Sequence, residues 1–144
     1  MGEAIVVGTD GSETAKEAVN EAIRMAKAFD AELHIVSAYK PLRGAHISGA
    51  PAGAARVWQP LPDSRVDAIL DEAAAAGRLR NINVKSHRSE EEPADALLSV
   101  ASEVDAKLIV VGNRGMQGAR RVLGSVPNKV AHNASCNVLI VSTT

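Results

Sequence analysis

Short apolar runs rich in β-branched residues alternate along this chain with stretches of helical periodicity, and that alternation leaves few folds open. Residues 4–9 (AIVVGT) form the first run. It has no in–out alternation, which suits a parallel strand buried on both faces. Asp10-Gly11-Ser12 then makes a turn ending on a helix cap. Ala15, Val19, Ala22, Ile23 and Ala26 recur on one helical face as far as Phe29. Residues 33–39 (LHIVSAY) are the second strand. Residues 40–62 break the rhythm with Pro41, Pro51, Pro60 and Pro62 and with Gly44, Gly49 and Gly53. They read as a long loop with a short helical piece near 54–58. Asp63 or Ser64 caps a helix running to Ala76, with Gly77 as its C′ stop. Residues 82–87 are a short third strand. Pro93 stands first in a helix with Ala94, Leu97, Leu98 and Ala101 on one face. Residues 107–111 (KLIVV) are the fourth strand. Ser125 opens a helix carrying Val126, Val130, Ala131 and Ala134, and residues 137–141 (NVLIV) are the fifth strand.

The β-α-β-α-β-α-β-α-β order predicts one α/β domain over residues 1–144. Its core is an open five-stranded parallel sheet in the order 3-2-1-4-5 with helices on both faces, Rossmann-like. A chain of 144 residues can bury one good core. In such sheets ligands sit beyond the carboxyl ends of the strands, where the strand order reverses. Composition then removes several partner classes. The net charge of -1 gives no bulk electrostatic case for nucleic acid or an anionic membrane. Phe29, Tyr39 and Trp58 are the only aromatic residues, which argues against base-stacking platforms. No apolar stretch approaches the ~20 residues that span a bilayer. The opening Met1-Gly2-Glu3-Ala4 lacks a signal peptide's basic start. A single cysteine, Cys136, excludes an internal disulfide framework, so a reducing, cytoplasmic setting is expected.

The strongest chemical signal follows the fourth strand. It reads Val111-Gly112-Asn113-Arg114-Gly115, then eight residues, then Gly124-Ser125-Val126-Pro127. Gly112 and Gly115 let a backbone approach a ligand without a Cβ in the way. Gly124-Ser125 lies at a helix start, where N–H groups and the helix dipole favour an anion. Arg114 or the Arg120-Arg121 pair can add charge-assisted contacts to phosphate. The plainer alternative is a glycine-rich connection with Ser125 as an ordinary cap. The second signal is Gly8-Thr9-Asp10-Gly11-Ser12 after the first strand. Asp10 at a strand's carboxyl end can reach a ribose, a base edge or a metal. The plainer alternative is a turn aspartate beside a capping Ser12. In a 3-2-1-4-5 sheet the first and fourth strands are neighbours at the switch point, so Asp10 and Gly112 face one crevice.

This pair of motifs resembles the universal stress protein family. The resemblance runs through VVGTDGS, LHIVSAY, PADALL, AKLIVVGNRG, LGSVPNKV and NVLIV, nearly the whole chain. The nucleotide-binding branch of that family carries G-x2-G-x9-G-[ST]. Gly112, Gly115, Gly124 and Ser125 match its fixed positions, with eight residues in place of nine in the variable arm. The resemblance implies that Thr9 and Asp10 meet adenine and ribose, that Ala38 meets adenine, and that Val126 follows the phosphate-binding serine; Gly8, Val111 and Arg114 complete the expected nucleotide site. It also implies a homodimer through the strand at 137–141.

Three functions follow for comparison. The leading one is a stress-response module that binds an adenine nucleotide, ATP first with a cyclic nucleotide as the alternative ligand. Occupancy would order residues 40–62 and the 115–124 arm and change the surface shown to a protein partner. The second is a slow ATPase, for which Asp10 could hold Mg²⁺ with the nucleotide; no residue is recognisably placed as base or nucleophile. The third is a nucleotide-free interaction module, in which the glycine pattern is usually lost. Other candidates are weaker. His34, His46, His87 and His132 show no ligand spacing. Cys136 reads as a buried, inert thiol. Glu90-Glu91-Glu92 reads as an acidic helix entry, and Trp58 as a residue that either covers a ligand or packs its loop onto the domain.

Overall fold

β1 (Ala4–Gly8) is the axis of the sheet in a computed structural model that describes residues 3–40, 61–113 and 123–143. It pairs in parallel with β2 (Glu32–Lys40) on one side and with β5 (Leu108–Gly112) on the other. β2 pairs with β4 (Val84–Ser89), and β5 pairs with β6 (Asn137–Val141), again in parallel. The order β4-β2-β1-β5-β6 is the expected 3-2-1-4-5 arrangement of five main strands. A two-residue β3 (Leu61–Pro62), absent from the sequence reading, adds to β2 beside Tyr39 and Lys40. The expected helical piece near 54–58, together with His46, Trp58, Arg114, Gly115 and the Arg120-Arg121 pair, lies outside the described residues.

Helices cover both faces, and the strands show why their runs lack an in–out alternation. Ile5 and Val7 point to one core with Leu33, Ile35 and Val110. There they meet α1 (Glu13–Phe29) and α2 (Asp63–Arg78) through Val19, Ile23, Val66 and Leu70. Val6, Val36, Ile109 and Val111 point the other way. They meet α3 (Pro93–Glu103) and α4 (Ser125–Asn133) through Leu97, Val100 and Val130. Ala18, Ala22 and Ala26 are buried along α1 and let it lie close to the strands, as a core with so few aromatic residues requires.

The end of α2 and the start of β4 differ from expectation. Gly77 lies inside α2 and does not stop it. A Cβ there would stand 2.7 Å from Val84 Cγ2, so the glycine brings α2 down onto β4. The left-handed residue of this turn is Asn81, at φ 62°, and β4 accordingly begins only at Val84. Among the described residues no helix is long and apolar enough to cross a membrane.

Candidate functional site

The chain steps outward from β1 through β2 to β4, then returns to the other side of β1 as β5, so the switch point lies between β1 and β5. The register sets what meets there. Val7 is level with Val110, so Thr9 and Gly112, each two residues on, leave the sheet side by side. Gly8 is level with Val36, which places Ala38 at the same carboxyl edge, opposite Ser89. The structure thus brings Gly8, Thr9, Asp10, Ala38, Val111 and Gly112 to one edge. Gly124, Ser125 and Val126 belong to the connection that returns from β5 through α4.

The β1–α1 turn satisfies its own polar groups. The Thr9 hydroxyl accepts from Gly11 N at 3.1 Å, and Asp10 Oδ1 accepts from Ser12 N at 3.0 Å. Gly11 has φ +82°, which a side chain rarely tolerates. Ser12 is the N-cap of α1, its Oγ accepting from Ala15 N at 3.2 Å. Thr9 is further pinned from β2, where Ser37 Oγ donates to its carbonyl at 2.8 Å. The turn aspartate beside a capping serine is therefore the local geometry around Asp10.

The start of α4 is built differently. Its N-cap is Gly124, not Ser125, and among the described residues no side chain caps it. The first helical bond runs from Asn128 N to Gly124 O at 3.1 Å. The helix ladder therefore makes no use of the N–H groups of Ser125 and Val126, and Pro127 has none to offer. Gly124 sits at φ -65°, ψ 167°, a conformation open to any residue. Its backbone does not call for glycine; what glycine supplies is a helix start with no side chain over it.

At Gly112 the Cβ direction is occupied by protein. A Cβ there would face Thr143 Cγ2 at 3.3 Å and the Thr14 carbonyl at 3.8 Å. The room it leaves is taken by the segment after β6. Asn113, next in the glycine motif, is buried, and its Oδ1 accepts from both Thr143 N at 3.0 Å and Thr143 Oγ1 at 2.7 Å. No local pattern marks this pair; it is made by the β5–β6 register.

The histidines also escaped sequence reasoning. Pairing of β2 with β4 sets His34 Nδ1 2.9 Å from His87 Nε2, and His34 Nε2 lies 2.8 Å from Glu32 Oε1. Burial pushes the His87 pKa below its ordinary value, with His34 and Lys85 acting the same way and Glu103 opposing them. Among the described residues no group of three or more His, Cys, Asp or Glu side chains could hold a metal. Cys136 is half-buried, and burial raises its thiol pKa, the direction of an unreactive thiol. The acidic run before α3 is divided in use. Glu90 accepts from Tyr39, Glu91 from Ser99, and Glu92 is an N-cap without a side-chain bond.

Comparison with known proteins agrees with this architecture. The model of the universal stress protein family matches residues 1–142. A universal stress protein of Mycobacterium tuberculosis is 41% identical over 149 residues, covering 97% of this chain and 96% of the relative. One from Methanocaldococcus jannaschii is 32% identical over 139 residues, covering 95% and 80%. A solved universal stress protein in complex with cAMP superposes with a TM-score of 0.76 at 34% identity, covering 99% of this chain and 98% of the other.

Proposed function

The chain belongs to the universal stress protein family, and on that premise we propose that it binds an adenine nucleotide, ATP first, by its phosphates at the start of α4. The base and sugar lie across the carboxyl ends of β1 and β2, around Gly8, Thr9, Asp10 and Ala38. Val111, Gly112, Arg114, Gly115 and Val126 flank the phosphates. The observation that carries this reading is the side-chain-free helix start at Gly124, on the connection that follows the switch-point strand β5. The N–H groups of Ser125 and Val126, which the helix ladder does not use, and the helix dipole there suit phosphate oxygens. A second reading, a cyclic nucleotide, is supported by the relative solved with cAMP.

Mg²⁺, on this proposal, arrives with the nucleotide. A single carboxylate at Asp10 with phosphate oxygens and waters is a usual set for that ion. Asp10 Oδ1 is already engaged by Ser12 N, so we expect binding without turnover. The biological output is then occupancy: bound nucleotide stabilises one form of the protein and presents its surface to a partner in a stress response.

We also propose a homodimer through β6. Among the described residues β6 pairs with β5 alone, and Val138, Leu139, Ile140 and Val141 all remain partly exposed. An apolar edge without Pro or Lys is a template for the same strand of a second copy. Light scattering across a dilution series should give a dimer mass, and Ile140→Pro should lower it.

Calorimetric titration of the purified protein with ATP, cAMP and inorganic phosphate tests the main proposal. Saturable heat with ATP or cAMP supports it, and the tighter of the two names the ligand. Absence of binding by either would overturn it.

A further inference from the structure

Thr143, two residues past the end of β6, is buried. Pairing of β5 with β6 runs to Gly112 and Val141, and Asn113 N extends it by donating to Val141 O at 3.0 Å. Beyond that point backbone pairing gives way to a side chain. Asn113 Oδ1 receives two bonds from Thr143, one from its amide and one from its hydroxyl. The Thr143 methyl fills the space beside Gly112, which also borders the Thr14 carbonyl in the first turn of α1. Three pieces of chain thus meet where β5 leaves the sheet.

Asn113 stands between Gly112 and the rest of the glycine motif. Its side-chain oxygen is turned to the tail and not toward the crevice. Buried polar groups hold their geometry strictly, because an unmade bond leaves a desolvated donor or acceptor. The chain leaving Gly112 is therefore held by two features, the Asn113 N bond to Val141 O and the Thr143 bonds to Asn113 Oδ1.

We propose that Thr143 is a positioning residue for the nucleotide site: through Asn113 it fixes the exit of β5 from which the phosphate-binding glycines extend. This rests on the nucleotide-binding reading above. It also ties the site to the edge strand, since Thr143 is two residues past the end of β6.

Thr143→Val keeps the methyl beside Gly112 and the backbone amide, and removes only the hydroxyl donor. Thr143→Ser keeps the donor and removes the methyl. Calorimetry with ATP, or with cAMP if that is the tighter ligand, should show Thr143→Val binding roughly fivefold more weakly, the scale of one ordinary hydrogen bond. Thr143→Ser should stay within about twofold of the unmodified protein. Amide exchange in the ligand-free protein should speed at Asn113 in Thr143→Val. A merely structural threonine would lower the melting temperature and leave affinity unchanged, and that result would overturn the proposal. Unmodified protein that binds no adenine nucleotide would defeat the reading beneath it, and the positioning role with it. Unmodified and Thr143→Val proteins that bind equally well would defeat the positioning role alone.

Discussion

Two helices begin beyond the carboxyl ends of the two strands that form the switch point, one on each face, and their first turns are opposites. The start of α1 is sealed. Thr9, Asp10 and Ser12 each accept from a backbone N–H of the same turn, and Gly11 has the left-handed φ that closes it. The start of α4 is open among the described residues, with a glycine cap, no capping side chain and a proline at its third position. Side chains of the α1 turn claim the Gly11, Ser12 and Ala15 N–H groups, whereas at the start of α4 no capping bond from a side chain is found among the described residues. Position beside the switch point does not by itself distinguish the two; the state of the first turn does. The glycines divide the same way: Gly11 is required by its φ, while the conformation of Gly124 suits any residue.

Sealing the open end should have the largest effect. Gly124→Asp gives α4 a cap like that of α1 and sets a carboxylate where phosphate would bind. Nucleotide affinity should fall by about 1.5–3 kcal/mol, the worth of charge-assisted hydrogen bonds, while stability holds or rises by a few tenths. Affinity and stability moving in opposite directions, read by calorimetry and urea denaturation, is the signature. If affinity holds, the two helix starts are equivalent in function.

Next in size is Gly11→Ala. A side chain at φ +82° and within 2.8 Å of Ile69 Cδ1 should cost about 1–2 kcal/mol in urea denaturation. A smaller loss would show that the sealed turn relaxes readily. Ser12→Ala removes the α1 cap and should cost about 1 kcal/mol of stability. Nucleotide affinity should stay unchanged, and a matching loss of affinity would extend the site from Thr9 and Asp10 into the cap of α1. Ser125→Ala is the mirror experiment with the smallest effect. Because Gly124 is the cap, melting should not shift, while affinity should weaken by about 0.5–1 kcal/mol.

The sheet was legible because its strands are consecutive apolar runs, and burial on both faces writes itself into sequence without ambiguity. β4 was legible only at its buried start. Its later residues are polar and mostly exposed at an edge, so nothing in KSHRS announces where the strand ends. β3 has two residues, one of them proline, and carries no period at all. Ser125 does open α4 as read; only the alternative that made it the cap fails, because the cap is Gly124. The Thr143–Asn113 and His34–His87 pairs join residues 30 and 53 positions apart. Strand register creates both, and register is a property of the assembled sheet.

The most direct test of the open helix start is an amide-resolved NMR titration with ATP, repeated with cAMP. The account predicts that Ser125 and Val126 amides shift strongly on saturation, while the Ala15 amide, held by Ser12 Oγ, shifts little. Strong shifts at Ala15 with Ser125 and Val126 unmoved would contradict it.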